Sequence, residues 1–286
     1  MLHRGADGGR VGVMRRARYL APWRREEFSL EALAAVRESG GVVELDEEAL
    51  EALRGKPAIY HCISRIVGRE FVLGPGEREH FVKLMRLYAD FGHLQVLTFC
   101  VMSNHFHILV EVPARPAEDP DDEELLEQLA RLYSEPEMAD IRWELEHYRS
   151  QGNEHGAEAL RQRYLSRMWD LSAFMKILKQ RFTQWYNPQH DRRGTLWEER
   201  FKSVLVEDGH AARLVAAYID LNPVRAGIVR DPKGYRWSGY GEAVAGRKVA
   251  REGLQRTMLE HRRMAVCEEV AAVEALDWRQ VVAKYR

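Results

Sequence analysis

The chain has 286 residues, 45% hydrophobic and 30% charged, with a formal net charge of −1. Those figures exclude a disordered or fibrous protein, and so even a charge balance gives no sign of a nucleic-acid partner held by global basicity. No apolar run approaches the roughly 20 residues of a bilayer-spanning helix, and three distant cysteines, Cys62, Cys100 and Cys267, with no CxxC pair argue against a disulfide framework or a zinc ribbon.

In chain order, residues 1–18 are glycine-rich, basic and aperiodic, an irregular and mobile start. No apolar core follows the first arginines, so no signal peptide is expected and the cytoplasm is the expected compartment, close to the nucleoid if DNA is the partner. Residues 26–54 read as two short amphipathic helices around the Gly40–Gly41 break. The β-branched and aromatic run "PAIYHCISRIV" (57–67) predicts a strand. A helix follows over 74–92, opened by Pro75, striped by Phe81, Leu84, Met85 and Tyr88, and closed at Gly92. "HLQVLTFCVMSNHFHILVEV" (93–112) predicts a hairpin turning at Ser103–Asn104.

Residues 114–168 form an acidic, helical insertion; "EDPDDEELLE" (118–127) alone carries seven acids. A longer helix over 171–187 has Leu171, Phe174, Leu178, Phe182 and Trp185 on one stripe, with Pro188 expected to end it. "GTLWEERFKSVLVED" leads into a short strand at 203–206, and "GHAARLVAAYIDLN" is a helix that Pro223 should stop. The tail, 231–286, mixes a Trp/Tyr/Gly turn region with helical segments.

The order strand–helix–strand–strand–helix–strand is that of an α+β, ferredoxin-like or RRM-like split βαβ sandwich. Its sheet is a central antiparallel one, with helices on one face and the other free to hold a site. The division is a partly helical N-terminal extension (1–56), a catalytic-type domain (57–230) with the insertion at about 114–168, and a helical C-terminal extension (231–286).

Alternation along "HFHILVEV" sends Phe106, Ile108, Val110 and Val112 to one face and His105, His107, Leu109 and Glu111 to the other. Two imidazoles side by side can chelate a divalent ion. They can equally be packed and hydrogen-bonded core histidines. In "AAYIDLNPV" (216–224), Tyr218 and Asn222 stand four apart and share a helix face. A tyrosine nucleophile, whose free phenol has a pKa of about 10, needs help from nearby positive charge. The plain alternative is a core tyrosine followed by an Asn-Pro helix stop. Tyr186, also near a helix end, is a rival nucleophile that packing under the next loop would equally explain. His61, in the first strand, faces either the site or solvent.

Four blocks in this order, "VMSNHFHILVEVP", "GTLWEERFKSVLVED", "YIDLNPVRAGIV" and "YRWSGY", resemble the REP-associated tyrosine transposases, members of the HUH single-tyrosine transposases. The likeness covers roughly residues 57–240. It implies a metal-dependent endonuclease and strand transferase acting on single-stranded or hairpin DNA. By that resemblance His105 and His107 are metal ligands, Asn222 a third ligand, and Tyr218 the nucleophile that forms a 5′-phosphotyrosine link and frees a 3′-OH. Mg²⁺ or Mn²⁺ is the implied cofactor. A homodimer with the tyrosine given in trans stays open, because relatives include such forms.

The loop "RRGTLWEERFK" interleaves Arg192, Arg193, Trp197, Arg200 and Lys202, the mixture of cations and rings that grips a single strand. The same pattern suits a loop anchored by Trp197 and Phe201 with merely exposed cations. Two other functions compete. One is a domesticated, non-catalytic nucleic-acid-binding module on the same sheet. The other is a metallohydrolase adding Glu111 or Asp220 to the histidines.

Overall fold

The computed structural model describes residues 57–206 and 209–258, together with residues 278, 280 and 283. The helices expected over 26–54 and the irregular start lie outside the described residues.

Four strands form one sheet: β1 (Ala58–Arg65), β2 (Gln95–Val101), β3 (His105–Val112) and β4 (Lys202–Val206), in the order β2-β3-β1-β4. Every neighbouring pair is antiparallel. Helix α1 (Pro75–Phe91) links β1 to β2, and α5 (Leu171–Gln189) lies between β3 and β4. This is the α+β architecture expected from the element order.

Local chemistry explains the boundaries. Gly74 is extended before Pro75, whose missing N–H costs nothing in a first turn. Gly92 closes α1 by donating its N–H to Tyr88 O at 3.0 Å. The hairpin shuts where Met102 N donates to His105 O at 2.8 Å. Asp170 caps α5 by accepting from Ala173 N at 2.7 Å. Pro188 does not stop α5 in front of itself: it sits in the last turn, and the helix runs on to Gln189.

One face of the sheet is covered by α1 and α5. Phe106, Ile108, Val110 and Val112 pack there with Tyr60 and Cys62 against Phe81, Met85, Phe174, Leu178 and Phe182. Each such side chain, fully buried, contributes about 1.5–3 kcal/mol.

The insertion is three helices, α2 (Asp122–Ala130), α3 (Glu135–Ser150) and α4 (Glu154–Leu165), with a small core of its own built on Leu129, Met138, Leu145 and Leu165. It docks on the C-terminal end of α1 through Phe91 and Trp169, and Trp169 N donates to Gly92 O at 2.8 Å. It leaves the sheet after Val112, the end of β3 opposite His105.

The second face is not bare, as the sequence suggested. Helix α6 (His210–Asp220) crosses it, followed by one turn, α7 (Asn222–Arg225), then α8 (Gly239–Val244) and α9 (Lys248–Met258). Leu97, Cys100, Met102 and Leu109 pack there against Ala212, Ala216, Ile219 and Tyr235. Residues 235–258 therefore belong to this layer. Among the described residues the start of β4 stays open, with Val204 61% exposed, while Val206 at its end packs under α6. Pro223 opens α7 rather than ending the chain's helical course, because proline is tolerated in a first turn.

Candidate active site

The exposed end of this second face holds three imidazoles. Alternation places His105 and His107 of β3 there, and in the β1–β3 register Arg65 stands opposite His105 and Ile63 opposite His107. His61 of β1 shares that face. Its Nε2 lies 3.0 Å from Nδ1 of His107, and the two rings stack with centroids 5.2 Å apart. His105 and His107 meet edge to face at 5.1 Å. The sequence left the direction of His61 undecided; the register decides it.

These imidazoles are held neutral. Burial lowers His61 to about 4. Burial, then the Arg65 charge, lowers His105 to about 4. His107, only 4% exposed, falls to about 3 through burial first, then His105, His61 and Arg65. A neutral imidazole is the form that ligates a metal.

The donor set fits a divalent ion. Nδ1 of His105 is 2.7 Å from Asn104 Oδ1, an acceptor, which fixes the proton on Nδ1 and leaves Nε2 its lone pair. In the tautomer where His107 donates from Nδ1 to His61 Nε2, its own Nε2 keeps its lone pair in the same way. Among the described residues no group of three His, Cys, Asp or Glu side chains is arranged to hold a metal by itself. A third protein ligand, were an ion bound here, would be of another residue type. Asn222 offers one: its Nδ2 donates to Tyr218 O (3.0 Å) and Ile219 O (3.2 Å), and Oδ1 is the atom those bonds leave over.

Tyr218, on the last turns of α6, stands beside the imidazoles of its own chain. Its ring meets His107 edge-on at 5.9 Å and His61 at 6.3 Å, and is 42% exposed. The Arg225 guanidinium lies 5.1 Å over the ring. The end of α6, whose apolar face already packs on the sheet, is pinned by Asp220, 1% exposed. Its carboxylate accepts from Thr98 Oγ1 of β2 at 2.9 and 3.0 Å and from Tyr240 N of α8 at 3.1 Å. Gly239 completes this joint, since a Cβ there would stand 2.1 Å from Thr98 Oγ1.

Other expected residues are placed elsewhere. Trp197 is 7% exposed in the α1/α5 core, and its Nε1 donates to Lys179 O and Thr183 Oγ1. Its ring is packed among Phe81, Phe106 and Phe182, the loop-anchoring arrangement that the sequence offered as the alternative to stacking on a base. Phe201 is buried with it. Arg192 pairs with Glu70 at 3.0 Å. Arg193, Arg200 and Lys202 are exposed. Tyr186 is buried, stacked on His190 at 4.0 Å, and its phenol is pushed up by burial, so it makes a poor nucleophile. Glu111 is ion-paired with Arg256 and Asp220 is spent on α6, which removes both carboxylates of the metallohydrolase reading.

No protein-family model matches the chain. No curated protein matches it. Among solved structures it is similar to a REP-associated tyrosine transposase bound to a REP hairpin. The two share 14% identity over 66% of this chain and 80% of that one, with a TM-score of 0.42. Among the described residues no helix is long and apolar enough to cross a membrane.

Proposed function

We propose that the protein is a metal-dependent nickase and strand transferase for single-stranded DNA, acting at hairpins of palindromic repeats, with Tyr218 as nucleophile. The observation that carries this reading is the solvent-open Tyr218 ring set against His107 and His61 on a helix pinned by Asp220. The ring is 42% exposed while the two imidazoles it faces are largely enclosed.

His105 and His107 through Nε2, and Asn222 through Oδ1, would hold Mg²⁺ or Mn²⁺. When bound, such an ion polarises the phosphate and offsets its developing charge. The chain's own residues do the rest. Tyr218 Oη attacks phosphorus and forms a phosphotyrosine with the 5′ side of the strand. The bond from phosphorus to the 3′ oxygen breaks, and that oxygen leaves as a 3′-OH with a proton from solvent. The phenol proton goes to solvent, which reaches the ring directly. Arg225 sets a positive charge over the Tyr218 ring, 5.1 Å from its centroid. Arg193, Arg200 and Lys202 would contact the strand. Partnership within one chain needs no second subunit. The cytoplasm, at the nucleoid, is where such a substrate lies.

The test is a denaturing gel of a labelled hairpin oligonucleotide incubated with the protein and Mn²⁺ or Mg²⁺. A shifted covalent band is expected from the wild type and from Tyr186→Phe, and none from Tyr218→Phe. An unchanged band from Tyr218→Phe overturns the assignment. Binding without any band in the wild type favours the non-catalytic module instead.

A further inference from the structure

Beside the imidazoles lies a cavity of about 190 Å³ walled by Arg65, Arg69, Arg200 and Lys202, with Glu198 and Glu199. We propose that it seats a second backbone phosphate of the same single strand, next to the one presented to Tyr218. This rests on the nickase reading.

Position comes first. Arg65 stands opposite His105, and directly paired residues project from the same face. Lys202 pairs with Ile63, which pairs with His107, so the three form one row across β4, β1 and β3. That sets Lys202 two strand spacings, about 10 Å, from His107. Glu198 N donates to Arg65 O at 2.9 Å and fixes the loop that brings Arg200 to this edge. The cavity therefore adjoins the imidazole face on the β4 side, where Val204 is 61% exposed.

Charge comes next. Four cations share this wall with two carboxylates, one of which, Glu199, is 3.7 Å from Lys202. Among the described residues, no carboxylate lies within ion-pair distance of Arg65, Arg69 or Arg200, whereas Arg192 nearby is closed off by Glu70. Unpaired guanidiniums gathered on one wall repel, and an anion relieves that cost. Their planar forks match phosphate oxygens two at a time.

Size selects the ligand. A volume of 190 Å³ lies below the roughly 300–1,000 Å³ of small-molecule sites. A phosphodiester fits, and its sugar and base stay outside, so the seat reads backbone rather than sequence.

The experiment measures single-strand binding by fluorescence anisotropy across a salt series, in a Tyr218→Phe background that prevents turnover. Removing two of the three exposed arginines (R69Q/R200Q) should make the slope of log affinity against log salt shallower by about 0.7 per lost contact. The charge-matched pair K233Q/K248Q should leave it unchanged. A neutral methylphosphonate linkage walked along the oligonucleotide should reveal one position, next to the scissile phosphate, that weakens the parent and leaves R69Q/R200Q unaffected. Equal slopes for the two double variants, or no sensitive linkage, overturn the seat. The covalent-band assay separates the two proposals. A band with unchanged slopes sinks the seat alone, and altered slopes without a band in the wild type sink the nickase alone.

Discussion

The two faces of the sheet are built from opposite materials. Under α1 and α5 the contacts are almost wholly apolar, from Phe81 and Phe106 through Phe182 to Trp197. Under α6, α8 and α9 an apolar patch is shared with buried polar groups: Thr98, His107, Glu111, Asp220 and Ser238. An apolar face tolerates any close packing of the right volume. A polar one has to satisfy each donor and acceptor individually, because an unmade buried hydrogen bond costs about 1–3 kcal/mol. The first face supplies stability; the second uses part of it to fix the direction of one phenol and three imidazoles.

The largest expected effect therefore falls on the first face. Phe106 is fully buried and touches Phe81 at 4.6 Å and Trp197 at 5.4 Å between centroids. Phe106→Ala should cost about 3–5 kcal/mol, read as a drop in the urea midpoint at constant m-value. A loss under 1 kcal/mol would mean that this core is not what holds the sheet.

That face was also the legible one. A period of two in β3 and helical stripes in α1 and α5 name their buried residues outright, since burial of one face imposes exactly that spacing on any sequence, and Phe106, Phe81 and Phe182 follow from it. The second face was legible only in pieces. Alternation gave the side of His105 and His107, and the i,i+4 spacing put Tyr218 and Asn222 on one turn. What alternation cannot give is which strands are neighbours. His61 joins the site only because β1 lies beside β3, a pairing made over 46 residues of sequence. Asp220 was unreadable for the same reason, since Thr98 and Tyr240 are distant in the chain. Trp197 misled because a ring between cations looks alike in sequence whether it stacks on a base or packs edge-on against Phe106.

The next effect in size tests the joint that carries Tyr218. Asp220→Ala strands Thr98 Oγ1 and the Tyr240 N–H in a buried place. A loss of about 2–3 kcal/mol is expected, together with a weaker covalent band, because α6 is no longer tied to β2. If the variant is as stable as the wild type, Asp220 is not the pin.

Acid should separate the faces without mutation. In the metal-free protein His61, His105 and His107 titrate at about 4, 4 and 3, against 6.5 when unfolded. Between pH 6.5 and about 4 the unfolded chain binds protons that the folded chain refuses. Stability is then complete above pH 6.5 and falls as pH drops through that window. A Tm several degrees lower at pH 5 than at pH 7 is expected in chelator, with a smaller drop in His107→Asn. Identical Tm values at the two pH values would show that these imidazoles are not buried neutral.

The smallest effect is the most discriminating. If His61 orients His107, it acts as an outer partner of a ligand, and losing such a partner lowers metal affinity about 10–100-fold. His61→Ala should weaken Mn²⁺ binding in calorimetry by at least tenfold while the urea midpoint moves little, since the ring is only half-buried. His61→Gln should restore most of it, because a glutamine amide reaches about as far as Nε2 and can still meet His107 Nδ1. A packing role predicts the reverse: both variants would lose stability alike and bind the metal as the wild type does. Placing that pair of outcomes side by side tells whether the second face merely closes the sheet or arms it.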